Sequence, residues 1–220
     1  MHLALIRTVI AAVAESSSDS IKPTGDREVE LPIFPLGSVL FPGGTMALKI
    51  FEQRYLEMAK VCLKSDSPFG IALIREGNEV GIPAVPESIG TLARVIDWDM
   101  QDLGILQLRV KGGPRFRLES QSVSKSGLIV GRAVMVPDDA SVECPELAAC
   151  AEFLRKVFAN VSPIGNPEQA QFDDAGWVGF RVTELLPLSG RVKQKLLELT
   201  DTRIRLEILH RFLVDHRLSG

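Results

Sequence analysis

The sequence predicts an α+β protein: an irregular β-barrel with one early helix over residues 29–137, followed by an α-helical bundle over residues 138–220. Three observations carry this. An apolar run punctuated by Pro32, Pro35 and Pro42 opens the ordered chain, a two-residue apolar alternation recurs from there to Val136, and after Asp138-Asp139 every periodic segment has helical spacing. Residues 1–28 are expected to be a disordered or frayed extension. Their apolar stretches around Leu3-Ala4-Leu5-Ile6 and Val9-Ile10-Ala11-Ala12-Val13-Ala14 resemble a secretion leader, but Arg7 interrupts them and only His2 stands where a basic leader belongs.

The elements follow in order. Prolines fix φ and remove backbone donors, so residues 31–44 can form only a short edge strand, a turn and a second extended piece. Met46, Leu48 and Ile50 alternate as in a half-buried strand. From Glu52 the period changes: Tyr55, Ala59 and Cys62, flanked by Leu56 and Leu63, predict a helix through Lys64 with one stripe against the sheet. Phe69-Gly70-Ile71-Ala72-Leu73-Ile74-Arg75 reads as a strand buried on both faces. Residues 81–88, with Pro83 and Pro86, read as an irregular loop. Strands are expected over residues 91–98 and 105–110. Lys111-Gly112-Gly113-Pro114 is expected to turn the chain into a hairpin that returns through residues 115–119. Residues 128–136 form one more strand, stopped by Pro137. Many short strands with a single early helix favour a closed, partly irregular barrel over a doubly wound sheet, which needs alternating helices.

Beyond Asp138-Asp139, Leu147, Ala151, Leu154 and Phe158 step at helical spacing behind Pro145, a residue suited to a first turn. Asp173 or Asp174 caps a second helix carrying Trp177, Val178, Val182 and Leu185 to a stop before Pro187. Ser189 caps a third with Val192, Leu196 and Leu199. Thr200 or Asp201 caps the last, on which Ile204, Ile208 and Phe212 are expected to face one way, with Leu206, Leu209 and Leu213 widening that face. Such stripes are buried most simply in a bundle.

With 220 residues the chain can bury a core without metals or disulfides. A formal net charge of -3 exerts no long-range pull on nucleic acid or anionic membrane. The 3 cysteines, with no CxxC pair, suit reduced thiols in the cytoplasm. No apolar run is long enough to span a bilayer.

Several stretches together carry a family resemblance: Leu31-Pro32-Ile33-Phe34-Pro35-Leu36-Gly37, the Pro42-Gly43-Gly44 turn, Leu48-Lys49-Ile50-Phe51-Glu52-Gln53-Arg54-Tyr55 and Phe69-Gly70-Ile71-Ala72-Leu73-Ile74. Ile89-Gly90-Thr91-Leu92-Ala93-Arg94-Val95, Gly113-Pro114-Arg115-Phe116-Arg117-Leu118 and Leu186-Pro187-Leu188 follow in the same order. The chain after Glu28 resembles the amino-terminal, substrate-binding domain of the Lon ATP-dependent proteases. The resemblance implies a PUA-like barrel, binding of unfolded or apolar polypeptide segments, a protease as partner, and a homodimer as one form of assembly. Full Lon proteases carry ATPase and Ser/Lys protease modules after this domain, and the resemblance implies neither activity here.

There is no GxxxxGK[ST] phosphate loop and no GxSxG nucleophile motif, and the glycine pairs sit in strand turns rather than before a helix, so no cofactor is expected. His2, His210 and His216 lack the spacing of a metal site, and none is expected. Cys62 and Cys150 fall on apolar helical faces, where a thiol behaves as a small hydrophobe. The acidic pairs Asp97/Asp99, Asp138/Asp139 and Asp173/Asp174 suit capping better than acid/base catalysis. Arg54 is expected to pair with an acid and act structurally. No catalytic residue is assigned.

Two rival functions remain. Arg109, Arg115, Arg117 and Arg132 would form a basic face if the alternation holds, and a PUA-like barrel invites RNA; the acidity of the chain and its single Tyr oppose that. A self-associating scaffold is the other. The leading expectation is a non-catalytic polypeptide-binding module, an adaptor in proteolysis or quality control, whose binding groove lies between barrel and bundle and involves Arg94, Trp98 and Trp177. Trp98, at a strand end between carboxylates, can stay exposed and meet an extended peptide. Trp177 suits core packing at that seam more than ligand contact. Strand addition along the proline-rich edge is the poorer mechanism, because prolines block ladder bonds.

Overall fold

The computed structural model describes residues 28–102, 104–137, 143–161 and 170–218. Residues 1–27 of the expected extension, with His2, and the Asp138/Asp139 pair lie outside the described residues. Two compact units part after Pro137.

The first unit consists of β1 (Val29–Leu36), β2 (Thr45–Ile50), α1 (Gln53–Ser65), β3 (Phe69–Glu76), β4 (Val85–Asp102), β5 (Ile105–Val123) and β6 (Ile129–Met135). The strands form one sheet in the order β2-β5-β4-β3-β1-β6, and a further β5–β6 pairing bends it into a barrel. β1 and β3 run parallel, Ile33 opposite Gly70, and every other pairing is antiparallel. The ring is not strictly closed as expected. β2 hangs from the first half of β5 and, among the described residues, has no strand paired along its outer edge.

The expected turn at Lys111-Gly112-Gly113-Pro114 is absent, and β5 runs straight through it. One extra β5 residue is accommodated between the Thr91–Arg115 and Ala93–Gly112 pairs, a bulge that bends the strand where it passes from β2 to β6. Glycine is required at its start: a Cβ on Gly112 would stand 2.1 Å from the Phe41 carbonyl oxygen. The hairpin instead joins β4 to β5, with Asp102 opposite Ile105. Residues 85–88 are likewise strand rather than loop. Pro86 is tolerated because it sits between two register shifts opposite Ile74.

α1 buries Arg54, Tyr55, Met58, Ala59 and Cys62. Tyr55 meets Phe34 edge to face at 4.3 Å, and Phe34 meets Phe69 at 6.3 Å. Phe116, fully buried, centres a second cluster with Ile33, Leu92 and Ile129.

The second unit contains α2 (Pro145–Val161), α3 (Ala175–Leu185), α4 (Gly190–Glu198) and α5 (Thr202–Asp215). Three caps stand where the sequence placed them: Asp174 accepts from the Trp177 N–H at 2.9 Å, Ser189 from Val192 at 3.4 Å, and Asp201 from Ile204 at 3.1 Å. Leu154, Phe158, Val178, Val182, Leu206, Leu209 and Leu213 build the core. On α5 the expected face is rotated. Leu206, Leu209 and Leu213 are buried, whereas Ile204 and Ile208 remain 44% and 46% exposed. The two stripes lie side by side on one helix, and apolarity alone could not rank them.

Arg205, completely buried on α5, donates to the Leu196 carbonyl at 3.1 Å and to the Leu199 carbonyl, and lies over the Phe180 ring at 4.2 Å. It thereby satisfies carbonyls that the end of α4 leaves without helical partners. No described helix is long and apolar enough to cross a membrane.

Candidate functional site

Trp98 and Met100 alternate with Asp97 and Asp99 on β4, so the apolar pair shares one face of the strand and the carboxylates take the other. Trp98 is opposite Leu108. It is 56% exposed and Met100 53%, unusual values for large apolar side chains on adjacent same-face positions. Facing them is α1. Beside its buried stripe, Gln53, Leu56, Glu57, Lys60, Leu63 and Lys64 recur at helical spacing and form the opposite wall of a groove of about 640 Å³. Trp98, Met100, Gly104 and Leu106 complete the lining.

Arg94, four residues before Trp98 on β4, donates to the Asp66 carboxylate at 2.8 Å. Asp66 is the C-cap of α1 and adopts φ 49, so this ion pair ties the end of the helical wall to the strand wall. The other end of α1 is held by Arg54, which pairs with Glu52 at 3.0 Å, donates to the Gly127 carbonyl at 3.1 Å and lies 4.6 Å from the Tyr55 ring. The expected structural pairing of Arg54 is thus present, with Glu52 as the acid. A second recess of about 390 Å³ follows the edge of β2, between Phe34 and Leu36 on β1 and Met46 and Leu48 on β2.

Trp177 belongs to the helical unit. It stands 5.8 Å from Phe172 and 6.5 Å from Phe158, in an aromatic cluster against the bundle core. Arg94 and Trp98 share one strand, and Trp177 lies in the other unit. The wall formed by Leu56, Lys60, Leu63 and Lys64, and Met100 and Leu106 opposite, went unassigned from sequence. The available signal was Leu56 and Leu63, seven apart and flanking the core stripe.

The basic face does not assemble as expected. Arg115 is 2% exposed, because the bulge at Gly112 shifts the alternation and buries Arg115 and Phe116 in succession. Arg109 pairs with Asp97 at 3.2 Å and Arg132 with Glu28 at 3.4 Å. Burial pushes the Cys62 and Cys150 thiols up, Cys150 to about 12, which disfavours the reactive thiolate at both. Among the described residues no three His, Cys, Asp or Glu side chains converge as metal ligands. His216 stacks on Phe212 at 3.9 Å at the end of α5.

The model of one protein family, described as the ATP-dependent protease La (LON) substrate-binding domain, matches residues 30–215. Lon protease 2 of Myxococcus xanthus is 30% identical over 133 residues, 60% of this chain and 16% of that protein. The Lon protease of Xanthomonas oryzae is 25% identical over 191 residues, 82% of this chain and 22% of that protein. The chain therefore spans less than a quarter of either protease. The crystal structure of a Lon N-terminal domain protein from Xanthomonas campestris superposes with a TM-score of 0.68 at 37% identity, covering 82% of this chain and 96% of that one. The N-terminal domain of a Mycobacterium avium complex Lon protease, at 16% identity and a TM-score of 0.62 over 86% of this chain and 100% of that one, shares the fold. With the match running through both units, the chain belongs to the LON substrate-binding domain family.

Proposed function

We propose that this chain is a non-catalytic polypeptide-recognition module that holds apolar segments of unfolded proteins in the groove between α1 and the β4–β5 hairpin, acting in the cytoplasm as an adaptor for proteolysis. One observation carries the reading: Trp98 and Met100 stand half-exposed over an apolar groove whose walls are fixed by the Arg94–Asp66 and Arg54–Glu52 pairs. An aromatic anchor beside an adaptable methionine in an apolar groove suits the binding of chains of varied sequence. Family membership and the similarity to substrate-binding domains of Lon proteases support it. Arg94 positions the wall, Trp98 touches the client, and Trp177 supports the bundle.

Calorimetry with a panel of apolar peptides and a reduced, unfolded protein tests the reading. Weak binding, on the order of micromolar or weaker, is expected, and Trp98→Ala should lower it by about tenfold. No heat with any of these ligands would sink the proposal. Self-association is a second reading, favoured by the exposed Ile204 and Ile208 on α5; a mass by light scattering that stays monomeric at high concentration would exclude it.

A further inference from the structure

The rim of the groove carries an unbalanced charge. Lys60 and Lys64 stand exposed on the wall formed by α1, and neither has an ion-pair partner among the described residues. Of the neighbouring acids, Asp66 is already paired with Arg94 at 2.8 Å, and Glu57, which accepts only from the neutral Gln53 side chain at 3.0 Å, is a single carboxylate against two lysines, so the rim stays net positive. Asp97 and Asp99 occupy the other face of β4, where Asp97 meets Arg109 at 3.2 Å. Lys64 also complements the dipole at the end of α1, but Lys60, a turn earlier, has no such role.

Resting on the reading of the groove as a polypeptide site, we propose that its occupant is an apolar segment of a client protein flanked by Asp or Glu side chains, which pair with Lys60 and Lys64 while the apolar residues cover Leu56, Leu63 and Trp98. Spacing supports an extended occupant. Four residues apart, Lys60 and Lys64 leave the helix about 6 Å apart along its axis, close to the roughly 6.7 Å between same-face side chains two apart in a strand. Two carboxylates in an acid-x-acid pattern therefore meet both lysines at once, and a single charge meets one.

The test uses the full chain and three peptides sharing one apolar core, flanked by Glu-x-Glu, Gln-x-Gln or Lys-x-Lys, with affinities from calorimetry. The Glu-flanked peptide should bind about three- to tenfold tighter than the Gln-flanked one, as two exposed ion pairs allow, and the Lys-flanked peptide more weakly than either. Changing both Lys60→Gln and Lys64→Gln should abolish the preference, so that Glu- and Gln-flanked peptides bind the variant alike, and roughly 0.5 M salt should narrow the preference of the unchanged chain by screening. Equal affinity for the Glu- and Gln-flanked peptides, with both weakened by Trp98→Ala, would overturn the acidic preference and leave the apolar groove standing. Affinities indifferent to Trp98→Ala would overturn both.

Discussion

Glu184 shows how burial and pairing compete at one side chain. Desolvation pushes its carboxyl up to about 7, against the pull of Arg181 at 3.1 Å and of Lys193, whose ammonium donates to the Glu184 backbone carbonyl. Its side chain keeps 12% exposure. In the unfolded chain the group titrates near the ordinary value of about 4.3, so from there to about 7 the folded protein holds the proton more tightly. That stabilisation is complete below the unfolded value and is lost as pH rises through about 7. Urea unfolding at pH 5 and pH 7.5 should show the decline, and Glu184→Gln should flatten it; an unchanged slope in the variant would assign the effect elsewhere. Arg205 has larger consequences. Arg205→Ala strips two carbonyls of their donor and vacates the face of Phe180, so a loss of about 3 kcal/mol or more is expected in denaturant titration. A loss below about 1 kcal/mol would mean that water replaces the guanidinium.

Elements differ in how far local signals reach. The helix starts at Asp174, Ser189 and Asp201 were legible because a cap is a contact between residues three apart. The bulge in β5 was not: Gly112-Gly113-Pro114 has turn chemistry, and only the close approach of Phe41, distant in sequence, explains why the strand continues. Nor could pattern decide between the two apolar stripes of α5. Leu209→Ala should cost about 2–5 kcal/mol by cavity formation, whereas Ile208→Ala, at an exposed position, should stay within about 1 kcal/mol. Thermal or urea unfolding of the pair checks this, and comparable losses would place Ile208 in a buried interface.

At the scale of the molecule, the apolar clusters found among the described residues are each drawn from one unit: the barrel's from residues before Pro137, the bundle's from Cys144 onward. A fragment of residues 28–137 should therefore unfold cooperatively with the circular dichroism of a mainly β protein; a fragment without a cooperative transition would show that its core is insufficient alone. The candidate site was half legible at this scale. Trp98 and Arg94 could be picked out as an exposed aromatic and a strand cation, but which helix faces Trp98 depends on a β4–β5 hairpin that the Gly112 signal concealed. The register of β1 has a further consequence. Val29 pairs with Ala133, so β1 gains its β6 neighbour only when the last strand of the unit is translated. Until then the nascent chain carries an unsealed apolar margin, and long-range pairing of this kind slows folding and prolongs that exposure.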